Sequence, residues 1–379
     1  MRRFLVLLAM PLAACGSESD VCGDGLSVPG QLCLEAREAG SDILLAIGDA
    51  NGDGRADALT LVSQDPPRVG IQLGQADGTF APAATSMAID QVPYAATIDR
   101  SGFLPEVLLW GHADNRQQVC AFEVDRGGGF TATWCHELSD ITPLGHRPYF
   151  ETGRFGDDGE PGFAVQGLDE VVVVIDPAGI PTERYMPWTF SPNGSAQVLK
   201  ADLDCDGRDE LLWAAESGEV LKYSAPWQDP FALTEPEPTT MWVGDFDGDG
   251  FHDLATQRRE GDQLELQIRT GHGADATLTF DADGNWSRAH VADLDADGRD
   301  DLLFVSDEGS SVQWGHSLFD ANPGNAEFIG SPWDLDSVDV LTSDVNGDGA
   351  DDLLLVRGSD TYVSDLLPSW VVEIWVNDP

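Results

Sequence analysis

Five short acidic segments share a residue pattern that could bind a divalent cation. Each follows D-x-[DN]-x-D-G-x-x-[DE], starting at Asp49, Asp202, Asp245, Asp293 and Asp344. Hard cations such as Ca²⁺ prefer oxygen ligands, which positions 1, 3, 5 and 9 supply from side chains and position 7 from its carbonyl. Glycine at position 6 permits a tight turn. Because so many carboxylates would repel one another without a cation, the pattern predicts about five Ca²⁺ sites.

The predicted metal ligands form five sets of five residues. They are Asp49, Asn51, Asp53, Arg55 and Asp57; Asp202, Asp204, Asp206, Arg208 and Glu210; Asp245, Asp247, Asp249, Phe251 and Asp253; Asp293, Asp295, Asp297, Arg299 and Asp301; and Asp344, Asn346, Asp348, Ala350 and Asp352. The residues at position 7 would bind through the backbone carbonyl: Arg55, Arg208, Phe251, Arg299 and Ala350.

The EF-hand begins with the same pattern but differs further on. It requires a bidentate Glu at position 12 and helices on both sides. Position 12 is here Thr60, Trp213, Thr256, Phe304 or Leu355, and the flanking residues read as strands. A calcium-binding β-hairpin loop is therefore the expected structure, with an acidic turn that binds no metal as the alternative.

The acidic segments belong to a longer internal repeat. Two decayed copies, at Asp99 and Arg154, bring the total to seven copies spaced about 49 residues apart, from residue 49 to residue 344. The decayed copies are expected to bind no metal. Apolar runs flank the copies and alternate with short polar loops, which is typical of about four strands in each unit. The period and the strand pattern predict an all-β fold, a seven-bladed β-propeller with calcium-binding hairpin loops.

The last repeat is incomplete, which bears on how such a ring would close. After the motif at Asp344 there is room for only two further strands. The segment around Gln31 to Glu35 could supply the missing outer strand, which would leave no exposed sheet edge. We therefore expect residues 31–36 to pair with residues near 370–376.

The N-terminus has the pattern of an export signal. Basic residues Arg2 and Arg3 precede a mostly apolar run that is too short to span a bilayer. Leu12-Ala13-Ala14-Cys15 resembles the lipobox of bacterial lipoproteins, which implies lipid modification of Cys15, with an ordinary signal peptide as the alternative. The expected organisation is a signal peptide at 1–14, a lipid-anchored linker at 15–40 and the propeller at 41–379. The expected location is the bacterial outer membrane or cell surface.

The remaining cysteines fit an exported protein. Cys22 and Cys33 flank a loop that contains Gly and Pro, which predicts a local disulfide. Cys120 and Cys135 lie symmetrically about Gly127-Gly128-Gly129, and a hairpin with a two-residue loop at Gly127-Gly128 would set them opposite each other. A second disulfide is therefore predicted there. Cys205 is left as a free thiol.

The repeats resemble the FG-GAP, or VCBS, family, the seven-bladed propeller of integrin α subunits and of many bacterial surface proteins. The resemblance covers residues from about 41 to 379 and is carried by the five acidic motifs. The Phe-Gly and Gly-Ala-Pro marks of the family are poorly kept, although Gly78-Thr79-Phe80 fits the bacterial variant. The resemblance implies calcium ions that brace the hairpins and a role in adhesion or protein recognition.

Composition narrows the classes of partner. The 379 residues carry 67 acidic and 20 basic side chains, a net charge of −47, and only two lysines, Lys200 and Lys222. No basic surface is available for nucleic acid, and membrane contact is expected only through the lipid anchor. The partner is expected to be an unidentified protein or glycan, and the protein itself a monomer.

Three classes of function remain. No catalytic motif is present, so no catalytic residue is assigned and a non-enzymatic adhesion or protein-interaction module is favoured. The alternatives are a lectin-like propeller and a polysaccharide lyase or hydrolase. Candidate binding groups on the rim opposite the acidic loops are Trp110, His112, Arg116, Arg258, Arg259, Trp314 and His316. Tryptophan that packs between blades is the alternative to an exposed binding platform.

Overall fold

The described part of the chain is built from β-strands joined by turns and loops. A computed structural model describes residues 34–38, 43–83, 85–90, 92–98, 106–113, 116–138, 149–167, 170–175, 181–187, 198–214, 220–224, 231–233, 240–260, 263–270, 275–281, 288–306, 309–313, 315, 327–330, 338–362 and 368–377. Within these ranges, no helix has both the length and the apolar character needed to cross a membrane.

The strands form seven antiparallel sheets of four strands each. Six sheets use four consecutive strands. In chain order these are the first sheet, β2 (Ile43–Gly48), β3 (Asp57–Gln64), β4 (Pro67–Gln72) and β5 (Ser86–Ala88); the second, β6 (Val92–Ile98), β7 (Glu106–Ala113), β8 (Arg116–Val124) and β9 (Phe130–Leu138); the third, β10 (Phe150–Gly153), β11 (Gly162–Gln166), β12 (Glu170–Ile175) and β13 (Thr182–Pro187); the fourth, β14 (Val198–Ala201), β15 (Glu210–Ala214), β16 (Val220–Tyr223) and β17 (Phe231–Ala232); the fifth, β18 (Thr240–Gly244), β19 (Asp253–Glu260), β20 (Gln263–Arg269) and β21 (Ala276–Asp281); and the sixth, β22 (Arg288–Ala292), β23 (Asp301–Ser306), β24 (Gly309–Gln313) and β25 (Glu327–Gly330).

The seventh sheet joins the two ends of the described chain. It contains β26 (Val338–Ser343), β27 (Asp352–Tyr362) and β28 (Pro368–Asn377), and its outer strand is β1 (Leu34–Glu38). Strand β1 runs antiparallel to β28, with Leu34 opposite Asn377 and Glu38 opposite Glu373. The expected pairing of the N-terminal segment with the last repeat is thus confirmed. These five residues belong to the sheet although they precede residue 41, where the propeller was expected to begin.

The second strand of each sheet explains the apolar runs that follow the acidic motifs. This strand has a hydrogen-bonded neighbour on each side, and its faces are covered by the adjacent sheets. Leu211, Leu212, Leu302 and Leu303 are fully buried, as expected for strands that contact protein on both faces. A strand in this position therefore shows a continuous apolar run rather than alternation.

Neighbouring sheets pack on each other through shared hydrophobic clusters. The first strands of successive sheets lie side by side, as β2 and β6 do in the first and second sheets. The first and seventh sheets also share a cluster, in which Leu44 and Ala58 pack with Val345 and Leu354. The beginning and the end of the repeat region are therefore in contact.

A disulfide links the two outer strands of the second sheet. Cys120 on β8 lies opposite Cys135 on β9, with Cα atoms 4.1 Å apart. The predicted two-residue loop is wrong, because the hairpin closes through residues 125–129 and Val124 pairs with Phe130. A bulge beside Phe122 shifts the register by one residue and brings the cysteines opposite each other. Cys205 is a free thiol, and Cys15, Cys22 and Cys33 lie outside the described residues.

The pairing of β1 with β28 predicts that residues 34–38 contribute to stability. Two truncated chains, starting at residues 34 and 39, differ only in β1. The shorter chain exposes the edge of β28, so we expect it to melt at a lower temperature and to aggregate more readily. Thermal unfolding with light scattering measures both effects. Equal melting temperatures and equal scattering of the two chains would contradict a closing role for β1.

Candidate metal centre

The five acidic loops occupy equivalent places in their sheets. Each connects the first strand of a sheet to the second: β2 to β3, β14 to β15, β18 to β19, β22 to β23 and β26 to β27. They are named here by their residues as the 49–57, 202–210, 245–253, 293–301 and 344–352 loops. Because every loop leaves the same end of a first strand, the loops follow one another along a common edge of the packed sheets.

The aspartate at position 1 organises the backbone of its loop. In the 245–253 loop, Asp245 Oδ1 accepts hydrogen bonds from the amides of Gly248 at 2.8 Å and Asp249 at 3.0 Å. Its Oδ2 accepts one from Gly250 at 2.8 Å. The same bonds, with similar lengths, surround Asp49 in the first sheet. The carboxylate therefore shapes the turn even before any cation is considered.

Two positions in every loop adopt left-handed backbone geometry. Position 6 is always glycine, with φ between 81° and 98° in the five loops. Position 4 also has positive φ, and it is glycine in three loops but Cys205 (58°) and Ala296 (55°) in the other two. Only the glycine at position 6 was anticipated from the sequence. The turn thus tolerates strain at position 4 in two loops.

Carboxylate oxygens converge in three of the loops. One oxygen from each of three residues lies within 4.8 Å of the others in the sets Asp202, Asp204 and Asp206; Asp245, Asp247 and Asp253; and Asp293, Asp295 and Asp297. In the other two loops position 3 is an asparagine. The Nδ2 of Asn346 donates to Asp348 at 2.8 Å, and Asn51 makes the same contact with Asp53 at 3.3 Å. The converging oxygens come from positions 1, 3 and 5 in the 202–210 and 293–301 loops and from positions 1, 3 and 9 in the 245–253 loop. In the two loops with asparagine, positions 3 and 5 are in contact.

The acid at position 9 is buried in every loop. Asp57, Asp253, Asp301 and Asp352 are fully buried, and Glu210 is 2% exposed. Each accepts a hydrogen bond from the amide of position 2, as Asp57 does from Ala50 at 3.0 Å. Burial raises the pKa of Asp57 to about 6 and that of Asp301 to about 9. Ionising these acids inside the protein is therefore costly unless positive charge lies nearby.

Position 2 anchors each loop in the hydrophobic core, which the sequence analysis missed. The residues are all apolar, and Phe246, Leu294 and Val345 are completely buried. Phe155, at position 2 of the decayed copy, is also completely buried. The signal was available in the sequence, because an apolar residue stands at position 2 in all five loops.

Position 8 links each loop to the loop of the neighbouring sheet. In four places the backbone amide of position 8 donates a hydrogen bond to the position 1 carbonyl of the neighbouring loop, at 2.7–2.9 Å. These bonds run from Ala56 to Asp344, Asp209 to Arg154, Asp300 to Asp245, and Asp351 to Asp293. The side chain of position 8 accepts from the neighbouring position 1 amide in four places: Asp300 from Asp245, Asp351 from Asp293, Asp209 from Arg154, and His252 from Asp202. His252, which is half-buried, thus connects the loops of the fourth and fifth sheets through its ring.

The decayed copies differ from the five loops. The copy at Asp99 lies outside the described residues. In the copy at Arg154, a backbone hydrogen bond from Gly156 to Glu160 closes the turn at 3.1 Å. Glu160 accepts a bond from the amide of Asp158 at 2.9 Å. Arg154 replaces the aspartate that organises the other loops.

The rim groups named from the sequence have varied surroundings. Trp110 is completely buried, packs on Phe150 and donates from Nε1 to Gln117; it is not a binding platform. Arg116 is exposed and pairs with Glu137 at 2.9 Å. Arg258 pairs with Glu265 at 2.8 Å. His112 is half-buried. The side chain of Arg259, and the whole of Trp314 and His316, lie outside the described residues.

A polar cavity of about 430 Å³ lies between the first strands of several sheets. Its lining includes Ile47, Thr97, Glu151, Lys200 and Thr342, which come from the first, second, third, fourth and seventh sheets. Five sheets therefore face one common space.

Comparison with known proteins agrees with the sheet pattern. Residues 245–304 match the model of the FG-GAP-like repeat. The matched segment begins at the first aspartate of the 245–253 loop and ends in β23 of the next sheet.

Solved structures show a similar fold at low sequence identity. The crystal structure of BBS1N in complex with ARL6DN has a TM-score of 0.51 and 11% identity, covering 91% of this chain and 97% of that one. The Pseudomonas aeruginosa periplasmic gluconolactonase PpgL has a TM-score of 0.49 and 14% identity, covering 89% and 99%. No curated protein matches the sequence. The sheet order and the similarity to BBS1N both indicate an all-β fold built from several antiparallel sheets.

The links at position 8 predict that Asp300 stabilises the contact between the fifth and sixth sheets. Asp300→Ala removes the acceptor of the Asp245 amide, and we expect a cost of about 1–3 kcal/mol in the free energy of unfolding. Asp275→Ala, at an exposed site, is the matched control and should change little. Urea unfolding of both variants measures the difference, and equal stabilities would contradict the link.

Proposed function

We propose that the seven sheets form the blades of a closed β-propeller. Support comes from the shared cluster between the first and seventh sheets and from the hydrogen bond of Ala56 to Asp344, which joins the first loop to the last at 2.7 Å. The cavity lined by residues of five different sheets fits a closed ring, whose sheets surround a central space. Strand β1 would then lock the ring by completing the seventh blade.

The proposal includes Ca²⁺ in the acidic loops as a structural brace. The donor atoms fit such an ion, because carboxylate, amide and carbonyl oxygens are the ligands that calcium prefers. In the 293–301 loop the side chains of Asp293, Asp295, Asp297 and Asp301 would hold the ion, together with the carbonyl of Arg299. A bound cation would offset the negative charge gathered there, including that of the buried acid at position 9.

We propose further that this propeller is a non-enzymatic adhesion or protein-interaction module, lipid-anchored through Cys15 at a bacterial cell surface. The observation that carries the proposal is the repeated acidic loop, which would brace neighbouring blades against one another. The tryptophans bear on the lectin-like alternative. Trp110, Trp213 and Trp242 are buried and Trp134 is half-buried, so none of the four whose side chains are described offers an open sugar-stacking surface. A lyase or hydrolase is the remaining alternative.

Structural calcium predicts a large effect of chelation on stability. A ligand that binds only the folded state stabilises it by about 2.7 kcal/mol per site at 100 times its Kd. We expect the melting temperature of the protein to fall in excess chelator and to recover when Ca²⁺ is restored. In Ca²⁺, Asp249→Ala should lower the melting temperature more than Asp157→Ala, because only Asp249 lies in an intact acidic loop.

Mg²⁺ at the same ionic strength and the same variants in chelator are the controls for this experiment. The difference between the variants should shrink once the ion is gone, leaving only the loss of the Asp249 hydrogen bond to the amide of Phe251. Superimposable melting curves in Ca²⁺ and in chelator would refute the calcium brace.

The interaction role predicts calcium-dependent adhesion. The full chain displayed on a non-adherent bacterium should increase binding of the cells to other cells or to immobilised protein, and chelator should abolish the gain. Cys15→Ala, which removes the anchor, is the matched control. Adhesion inhibited by one class of free glycan would favour the lectin alternative. Turnover of a polysaccharide without stable binding would favour an enzyme.

A further inference from the structure

The 202–210 loop contains a positive charge supplied by the chain itself. Lys222 lies on β16, and its Nζ donates to Asp204 Oδ2 at 2.9 Å and to Glu210 Oε1 at 2.7 Å. Glu210 is 2% exposed and the Lys222 side chain is 15% exposed. The ammonium group therefore reaches two of the predicted metal ligands, at positions 3 and 9, from beneath the loop.

The equivalent residue in the other four sheets is apolar. Lys222 stands opposite Leu212, which is position 11 of its motif. The residues opposite position 11 elsewhere are Ile71, Ile268, Val312 and Ile374. Lys222 is also one of only two lysines in a chain with 67 acidic residues. Among the five sheets with an acidic loop, only the fourth has a cation at this position of the third strand. Arg55, which pairs with Asp53 in the first sheet at 2.7 Å, belongs to the loop itself.

The acid at position 9 differs in the same sheet. It is aspartate in the other four loops and glutamate only in the 202–210 loop. In two of those loops, the second oxygen of the aspartate accepts a backbone amide: Asp57 from Gly74 at 2.9 Å and Asp301 from Gly315 at 2.6 Å. In the fourth sheet the longer Glu210 takes Lys222 instead. A neutral donor has thus been replaced by a charged one.

We propose that the ammonium group of Lys222 takes the place of the metal ion in the 202–210 loop, so that the protein binds four calcium ions rather than five. This inference rests on the proposal that the acidic loops bind calcium. The three carboxylates at positions 1, 3 and 5 converge here as in the 293–301 loop. The 202–210 loop differs because Lys222 donates hydrogen bonds to one oxygen at position 3 and to another at position 9. The positive charge of its ammonium group would repel a divalent ion placed among these oxygens.

Counting bound calcium in the full chain tests this inference. The protein is equilibrated by dialysis at saturating Ca²⁺, and the bound ions are measured by atomic emission. We expect four ions for the native chain. The double variant Glu210→Asp with Lys222→Ile copies the residues of the first and fifth sheets, and we expect it to bind five. Five ions in the native chain, or four in the folded double variant, would overturn the role of Lys222.

Two single substitutions at position 5, which is aspartate in all five loops, keep the test decisive if the double variant does not fold. Asp249→Ala should lower the count by one ion, whereas Asp206→Ala should leave it unchanged. An equal loss in both would overturn the inference. No bound ions in the native chain would instead refute the proposed calcium brace, so the two failures are distinguishable.

Discussion

The structure depends on holding many carboxylates close together in turns that are only partly exposed to water. At position 1, Asp49 and Asp245 each accept three backbone amides with one carboxylate. Position 9 places an acid in the hydrophobic core, where burial raises the pKa of Asp301 to about 9. Hydrogen bonds alone offset only part of the free-energy cost of ionising these buried and crowded acids. A cation in the loop would compensate the charge that remains, which is why the acidic loops and the proposed metal belong to one design.

The same loops also connect neighbouring sheets. The residue at position 8 exchanges hydrogen bonds with position 1 of the adjacent loop, as between Asp300 and Asp245, while the apolar residue at position 2 fixes the loop in the core between sheets. A change in the loop would therefore be felt at the contact between sheets. This coupling gives a physical reason for a metal bound at the surface to affect the stability of the whole fold.

The charge of the buried carboxylates is not compensated in the same way in every sheet. In the fourth sheet burial raises the pKa of Glu210 to about 7, while the hydrogen bond from Lys222 acts in the opposite direction. The pKa of Lys222 is raised despite its burial, because Glu210 and Asp204 accept its hydrogen bonds. Lys222, one of only two lysines in the chain, therefore contacts two acids at positions that are proposed as metal ligands in the other four loops.

Much of the fold was predictable because its repeats are regular. The period of about 49 residues and the apolar runs predicted four-stranded antiparallel units, and the missing strand after β28 predicted the pairing of β1. The Cys120–Cys135 hairpin was less accessible, because the bulge beside Phe122 leaves no clear mark in the sequence. In the loops, the residue types predicted oxygen ligands for a cation, and this stays a prediction. The links made by His252 and Asp300 were not, since they depend on which loops become neighbours in space.

The most direct measurement is anomalous diffraction from crystals of the protein grown in Ca²⁺. We expect anomalous peaks inside the 49–57, 245–253, 293–301 and 344–352 loops, each surrounded by the oxygens of positions 1, 3, 5, 7 and 9. Loops that keep the same shape with no peak at saturating Ca²⁺ would contradict the central claim that bound cations compensate these buried and crowded acids.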